Sequence, residues 1–206
     1  MRPRRRPPAT RRGRGRSVPP VRADDELPAG DFAAWVAAFR TALDGEGQSD
    51  VPCDGCTACC SSSQFVHIGP DETDTLAHIP AELQFPAPGR PAGHVVLGYD
   101  DRGCCPMLTA DGCSIYEHRP RTCRAYDCRV FAAAGVAVDP DNEALAARVR
   151  RWRFTYPSDD DRRLQDIVQG AADDLAGDRT PSTPASIAVR AVEIAVRHSV
   201  SAPPCA

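Results

Sequence analysis

Lysine is absent from the 206 residues, so all 25 basic side chains are arginine. That bias is what GC-rich coding produces, and it weakens any argument that arginine-rich stretches exist to bind something. Long hydrophobic runs are also missing. No stretch approaches the ~18 apolar residues of a membrane-spanning helix. The start, Met1-Arg-Pro-Arg-Arg-Arg-Pro-Pro, is charged, but no apolar stretch follows it as a secretory signal requires. Arg11-Arg12 is followed by Gly13-Arg14-Gly15-Arg16, which does not fit twin-arginine export. No glycine-rich nucleotide-binding loop follows a strand, and no Ser/His/Asp grouping, catalytic pair of acids or internal repeat is present. The expected location is therefore cytoplasmic, where thiols stay reduced and clustered cysteines more often bind metal.

Length and composition set further bounds. One domain with tails is the expectation: a tail over 1–22, a domain over 23–200, and a tail over 201–206. Within the domain, a core motif spans 50–130 and a helical part spans 140–200. Proline, at 20 residues, is about twice its usual share and points to many turns. The net charge is −3, but residues 1–22 hold nine arginines and no acid, leaving 16 basic against 28 acidic residues beyond them. A basic tail on an acidic body could touch nucleic acid. Coding bias explains it more simply, so nucleic acid is not an expected partner and the tail reads as disordered.

What the chain does have is cysteine. Nine of its ten cysteines lie between Cys53 and Cys128. They open as Cys53-x-x-Cys56-x-x-Cys59-Cys60 and return as Cys104-Cys105, Cys113, Cys123 and Cys128. Two residues between thiols let one short turn aim several sulfurs at a single centre. Neighbouring residues have α-carbons ~3.8 Å apart, too close for an ordinary disulfide within a pair. Metal ligation therefore ranks above disulfides, and disulfides above merely buried thiols.

Apolar spacing places this segment among helices. Asp31 is a plausible cap for a helix carrying Phe32, Trp35, Val36, Phe39 and Leu43 and ending at Gly45. Gln64 to Ile68 reads as a strand, and Pro70-Asp71-Glu72 opens a short helix towards Ile79. A hairpin is expected from His94–Tyr99, turning at Asp100–Gly103 and returning through Cys104. Asp111-Gly112 marks a turn before Cys113. Helices are expected near 141–154, 160–177 and 184–199, the second started by Asp159–Asp161. The fold class is α+β, mainly α: helices around a short β-hairpin and an irregular, cysteine-rich, metal-bound segment.

Within the cluster, Gly55 can adopt the left-handed backbone angle that bends a chain round a metal. Thr57 and Ala58 are small, so Cys59 can reach the same centre. Arg119, Arg121, Arg124 and Arg129 surround Cys123 and Cys128, where cations would lower thiol pKa; compositional bias accounts for them about equally well. Cys104 duplicates Cys105, and Cys205 lies in a proline-rich terminus, so both are set aside. His118 is the best nitrogen candidate, ahead of His67 and His94, though eight thiols leave little need for nitrogen.

The ordered motifs Cys53-x-x-Cys56-x-x-Cys59-Cys60, Gly103-x-Cys105-Pro106-x-Leu108, Cys113-Ser114-Ile115-Tyr116, Arg119-Pro120-x-x-Cys123-Arg124 and Cys128 resemble the YkgJ-type cysteine-cluster family. That family is described as zinc- or iron-chelating, and flagellin lysine N-methylases carry a similar cluster. The resemblance covers roughly residues 50–130, with weaker likeness in the Arg151-Trp152-Arg153 region. It implies metal ligation by Cys53, Cys56, Cys59, Cys60, Cys105, Cys113, Cys123 and Cys128. Two readings follow. One is a metal-binding protein chelating zinc or iron, an iron–sulfur cluster included. The other is an iron–sulfur-dependent enzyme in redox or group-transfer chemistry of the protein-methylation kind. The expected partner is a metal ion, and no catalytic residue or protein partner is legible.

Overall fold

Phe32, Trp35, Val36 and Phe39 recur at the spacing of one helical face, and all four are buried on α1 (Phe32–Leu43). The computed structural model describes residues 26–49, 51, 55–178 and 182–201, so the stretch 1–22 expected as a tail lies outside it. Strand β1 (Leu27–Asp31) leads into α1. Asp31 precedes the helix as expected, but its carboxylate accepts from the Thr155 hydroxyl instead of capping. The open Ala33 N–H is satisfied from afar, by Asp161 Oδ1 at 3.0 Å.

The middle of the chain is short and irregular, as its prolines and glycines require. Strand β2 (Val66–Ile68), helix α2 (Thr73–His78), strand β3 (Phe85–Pro86) and strand β4 (Val95–Leu97) come first. Strands β2 and β3 both pair antiparallel to β4 in a three-stranded sheet. The expected hairpin returning through Cys104 is therefore replaced. The turn exists, with Gly103 N–H donating to the Asp100 carbonyl at 2.8 Å, but β4 takes its partners from earlier in the chain. A separate small hairpin joins β5 (Leu108–Thr109) to β6 (Gly112–Cys113). Two short helices, α3 (Arg121–Ala125) and α4 (Arg129–Ala134), follow.

Helix α5 (Glu143–Val149) ends earlier than its apolar spacing suggests. Residues Trp152–Thr155 form β7, which runs parallel to β1. Distant pairing has overridden local helical preference here, since β-branched and aromatic residues fit a half-buried strand well. Phe154 then stacks edge-on against Phe32, with ring centroids 5.0 Å apart. Helix α6 (Asp159–Gly177) starts with a reciprocal cap. Ser158 Oγ accepts from Asp161 N–H, and the Asp161 carboxylate accepts from Ser158 N–H. Helix α7 (Pro184–Ser201) buries Ala188, Ala191, Val192 and Ala195, and such small side chains let helices pack closely.

Two apolar clusters result. The larger joins α1, α4, α6 and α7 with Trp152, and includes Cys128 with Cys56 packed at its edge. The smaller is Ile68, Ile79, Leu97 and Ile115, with Cys105, Met107 and Cys113 packed against it. The mainly helical class with small sheets agrees with the sequence reading.

Candidate metal centre

The cysteines sit between these two clusters because backbone bonds pull their separate segments together. Gly55 has φ +66°, the left-handed angle that the first turn needs. A short 3₁₀ turn at Cys59–Ser61 then presents two neighbouring thiols. Cys105 N–H donates to the Cys60 carbonyl at 2.7 Å, and Ser63 N–H donates to the Gly103 carbonyl at 2.9 Å. These two bonds hold the Cys59-Cys60 and Cys104-Cys105 pairs side by side. The β5–β6 hairpin brings Cys113 across from Leu108.

Buried Glu72 places the next arm. Its two carboxylate oxygens accept from Gly69 N–H at 2.9 Å and from Arg121 N–H at 2.5 Å. Thr122 adds a hydroxyl bond to the His67 carbonyl at 2.7 Å. Helix α3, and Cys123 with it, is thereby fixed against β2.

The electrostatics show which thiols face each other. The Cys59 thiol is pushed well up by its hydrogen bond to Cys60, by burial and by the charge of Cys60. Its own N–H and that of Cys60 pull the other way. Cys105 is pushed up first by burial and then by Cys113, Cys59 and Cys104, against a donated N–H from Met107. Cys123 is pushed up to about 12 by burial and by Cys59, Cys105 and Cys113, while Arg119 draws it down. Cys123 shows surface to solvent as a residue, yet it stands in this crowded group of thiols. Cys59 and Cys113 thus act on both Cys105 and Cys123, which marks these four thiols as neighbours.

A second grouping shares Cys59. Cys56, Cys59 and Cys128 line a small hollow with Val51, Tyr126 and Leu145. Trp152 Nε1–H donates to Cys128 Sγ at 3.2 Å in the buried core. Burial, and next the charges of Cys128 and Cys59, push the Tyr126 hydroxyl up. The Cys104 sulfur lies 4.0 Å from the Arg102 carbonyl within the Asp100–Gly103 turn. No disulfide joins Cys56, Cys59, Cys60, Cys104, Cys105, Cys113 or Cys123. Among the described residues no three sulfurs lie within 4.8 Å of one another. Cys53 and Cys205 fall outside those residues.

Residues 52–144 match the model of the CxxCxxCC family, described as a putative zinc- or iron-chelating domain. The match covers 93 of the 206 residues, a little under half of the chain. No curated protein and no solved structure gives a significant match. Among the described residues no helix is long and apolar enough to cross a membrane.

Within the matched segment the arginines play different parts from those their spacing suggests. Arg121 pairs with Asp71 at 2.5 Å, and Arg124 donates to the Arg119 carbonyl at 2.5 Å. Buried Arg129 is taken by Asp127, with Nη2 to Oδ2 at 2.6 Å, and by the Ala29 carbonyl at 3.1 Å. Asp127 in turn accepts from Trp35 Nε1–H and from the Ser49 hydroxyl, each at 3.0 Å. Cys128 is therefore clamped between the two halves of a buried ion pair. Arg119 remains as the cation acting on Cys123. Its guanidinium lies 3.7 Å over the Tyr116 ring, and its buried Nη1 has no hydrogen-bond partner among the described residues. An orphaned cationic donor beside crowded thiols suits a negatively charged thiolate centre.

The expected nitrogen candidates turn elsewhere. His118 Nδ1 is 2.7 Å from Asp74 Oδ2, and the His67 and His94 rings bond each other at 3.0 Å. The sequence marks Asp127 in no way as part of the site, and Trp152 only through the weaker family likeness of Arg151-Trp152-Arg153. Trp152 lies beyond the matched segment, and nothing in the local pattern marks an indole as a donor to sulfur.

Proposed function

We propose that this protein is a zinc- or iron-chelating protein in which Cys53, Cys56, Cys59, Cys60, Cys105, Cys113, Cys123 and Cys128 supply the ligands. Cys59, Cys105, Cys113 and Cys123 form the inner set. The observation that carries this reading is the gathering of these thiols between two apolar clusters, where Cys59 and Cys113 act on both Cys105 and Cys123, beside the orphaned Nη1 of Arg119. Cys59, Cys105 and Cys123 are pushed up by burial and by neighbouring thiols and so bind protons tightly, and a cation at the same place replaces those protons and lets the charges coexist. The Met107 and Trp152 N–H groups, already directed at sulfur, would disperse thiolate charge. A tetrahedral ion with bonds of ~2.3 Å to sulfur would draw the thiols closer than they stand. A bound ion supplies structural cross-linking, joining the helical core to the small sheet.

Metal analysis of anaerobically purified full-length protein tests this reading. Stoichiometric zinc or iron is expected, retained by Cys104→Ser and lost by Cys59→Ser and Cys123→Ser. Acid-labile sulfide with broad visible absorption would assign an iron–sulfur cluster to the same ligands. A folded, metal-free chain would overturn the proposal, as would equal loss from Cys104→Ser and Cys123→Ser.

A further inference from the structure

A different set of donors gathers where α2 meets the turn after Ile115. Asp74 and His78 are four residues apart on α2, a spacing that puts both side chains on one helical face. The same spacing sets the two histidines of helical zinc sites on one metal. His118 arrives from a 3₁₀ turn at Tyr116–His118. One ligand atom from each of Asp74, His78 and His118 lies within 4.8 Å of the other two.

The hydrogen bonds prepare these groups as ligands. A backbone carbonyl can only accept, so His78 Nδ1–H must donate to the Asp74 carbonyl at 2.8 Å. That fixes the tautomer and leaves Nε2 as the nitrogen with a free lone pair. Such second-atom anchoring is the usual arrangement of a metal-ligating histidine. The His78 and His118 rings stack with centroids 3.5 Å apart and planes 7° apart. A metal lies near the plane of each imidazole that binds it, so one ring must turn out of this stack for both to reach one ion. His118 Nδ1 and Asp74 Oδ2 stand 2.7 Å apart, holding one proton between them. Two ligands on one zinc-like ion, with bonds of roughly 2.0–2.2 Å, stand about 3–3.4 Å apart. The pair need open by less than an ångström.

We infer that Asp74, His78 and His118 form a second metal site, separate from the thiols, for a divalent transition ion of the zinc class. Two imidazoles and a carboxylate suit zinc, cobalt or nickel, whereas calcium and magnesium take oxygen. The side chains are partly open to solvent, at 70% for Asp74, 41% for His78 and 37% for His118. Water therefore completes the coordination, as in sites that keep an open position. A bound ion would tie α2 to the turn lying between Cys113 and Cys123.

Zinc titration of the full-length protein, with its thiol centre already saturated, tests the site directly. Imidazole nitrogen NMR should show the His78 and His118 signals moving together while His67 and His94 stay in place. One further equivalent should bind, and His118→Asn and Asp74→Asn should each abolish that equivalent without changing the metal held by thiols. Unmoved His78 and His118 signals at millimolar zinc would overturn the inference in the unaltered protein. An unchanged stoichiometry in His78→Ala/His118→Ala would overturn it as well.

Discussion

Trp152 Nε1–H donates to the sulfur of Cys128 at 3.2 Å, and both residues are buried. The bond crosses from β7, outside the matched segment, into the cysteine cluster. An N–H directed at sulfur stabilises the thiolate over the thiol. Trp152→Phe keeps most of the ring packing and removes the donor. Its metal affinity is expected to fall ~10-fold or more, the range typical of lost outer partners. Competition with a chromophoric chelator measures this, and unchanged affinity would count against Cys128 as a ligand.

Asp127 and Arg129 make a second, independent prediction. Both are nearly inaccessible, and Asp127 accepts from Trp35, Ser49 and Arg129. Asp127→Ala removes the buried Asp127–Arg129 ion pair and the acceptor for Trp35 and Ser49, at a cost of ~3–5 kcal/mol. Urea unfolding of the full-length chain should show that loss as an earlier midpoint.

Gly103 has φ +76°, and a β-carbon added there would stand 2.4 Å from Ser63 Oγ. Gly103→Ala therefore combines backbone strain with a clash at the bond tying the two cysteine pairs together. A destabilisation of ~1–2 kcal/mol is expected from the left-handed angle alone. Gly170, exposed on α6 with open space around it, is the control: Gly170→Ala should be neutral or stabilising by up to ~1 kcal/mol.

The raised thiols set the pH response of the metal-free chain. Cys59, Cys105 and Cys123 lie above the ordinary value of 9.0, Cys123 at about 12. A group raised on folding stabilises fully below its unfolded pKa and loses that contribution as pH rises towards the folded value. Metal-free protein should thus lose stability between about pH 9 and 12. Metal-loaded protein should show a smaller change, since its ligands are already deprotonated. Thermal melts with and without chelator across this range check both signs.

The helices α1, α6 and α7 were legible because their apolar faces and the Ser158–Asp161 start are local signals. Trp152–Thr155 was not, since its strand form depends on Leu27–Asp31, more than a hundred residues away. The left-handed Gly55 could be expected from its place in a metal-type turn. The roles of the arginines could not. Arg129 looked like a cation beside thiols, but burial made Asp127 its partner, and only folding reveals that choice. His118 was visible as a nitrogen donor near Cys113 and Cys123. Its actual neighbours, Asp74 and His78, are brought to it by α2 packing against the Tyr116–His118 turn.

X-ray absorption at the metal edge of the anaerobically purified protein tests the thiolate centre most directly. The prediction is a shell dominated by sulfur at ~2.3 Å for a tetrahedral zinc site, diminished in Cys123→Ser. A first shell of nitrogen and oxygen alone, with no sulfur contribution, would contradict it.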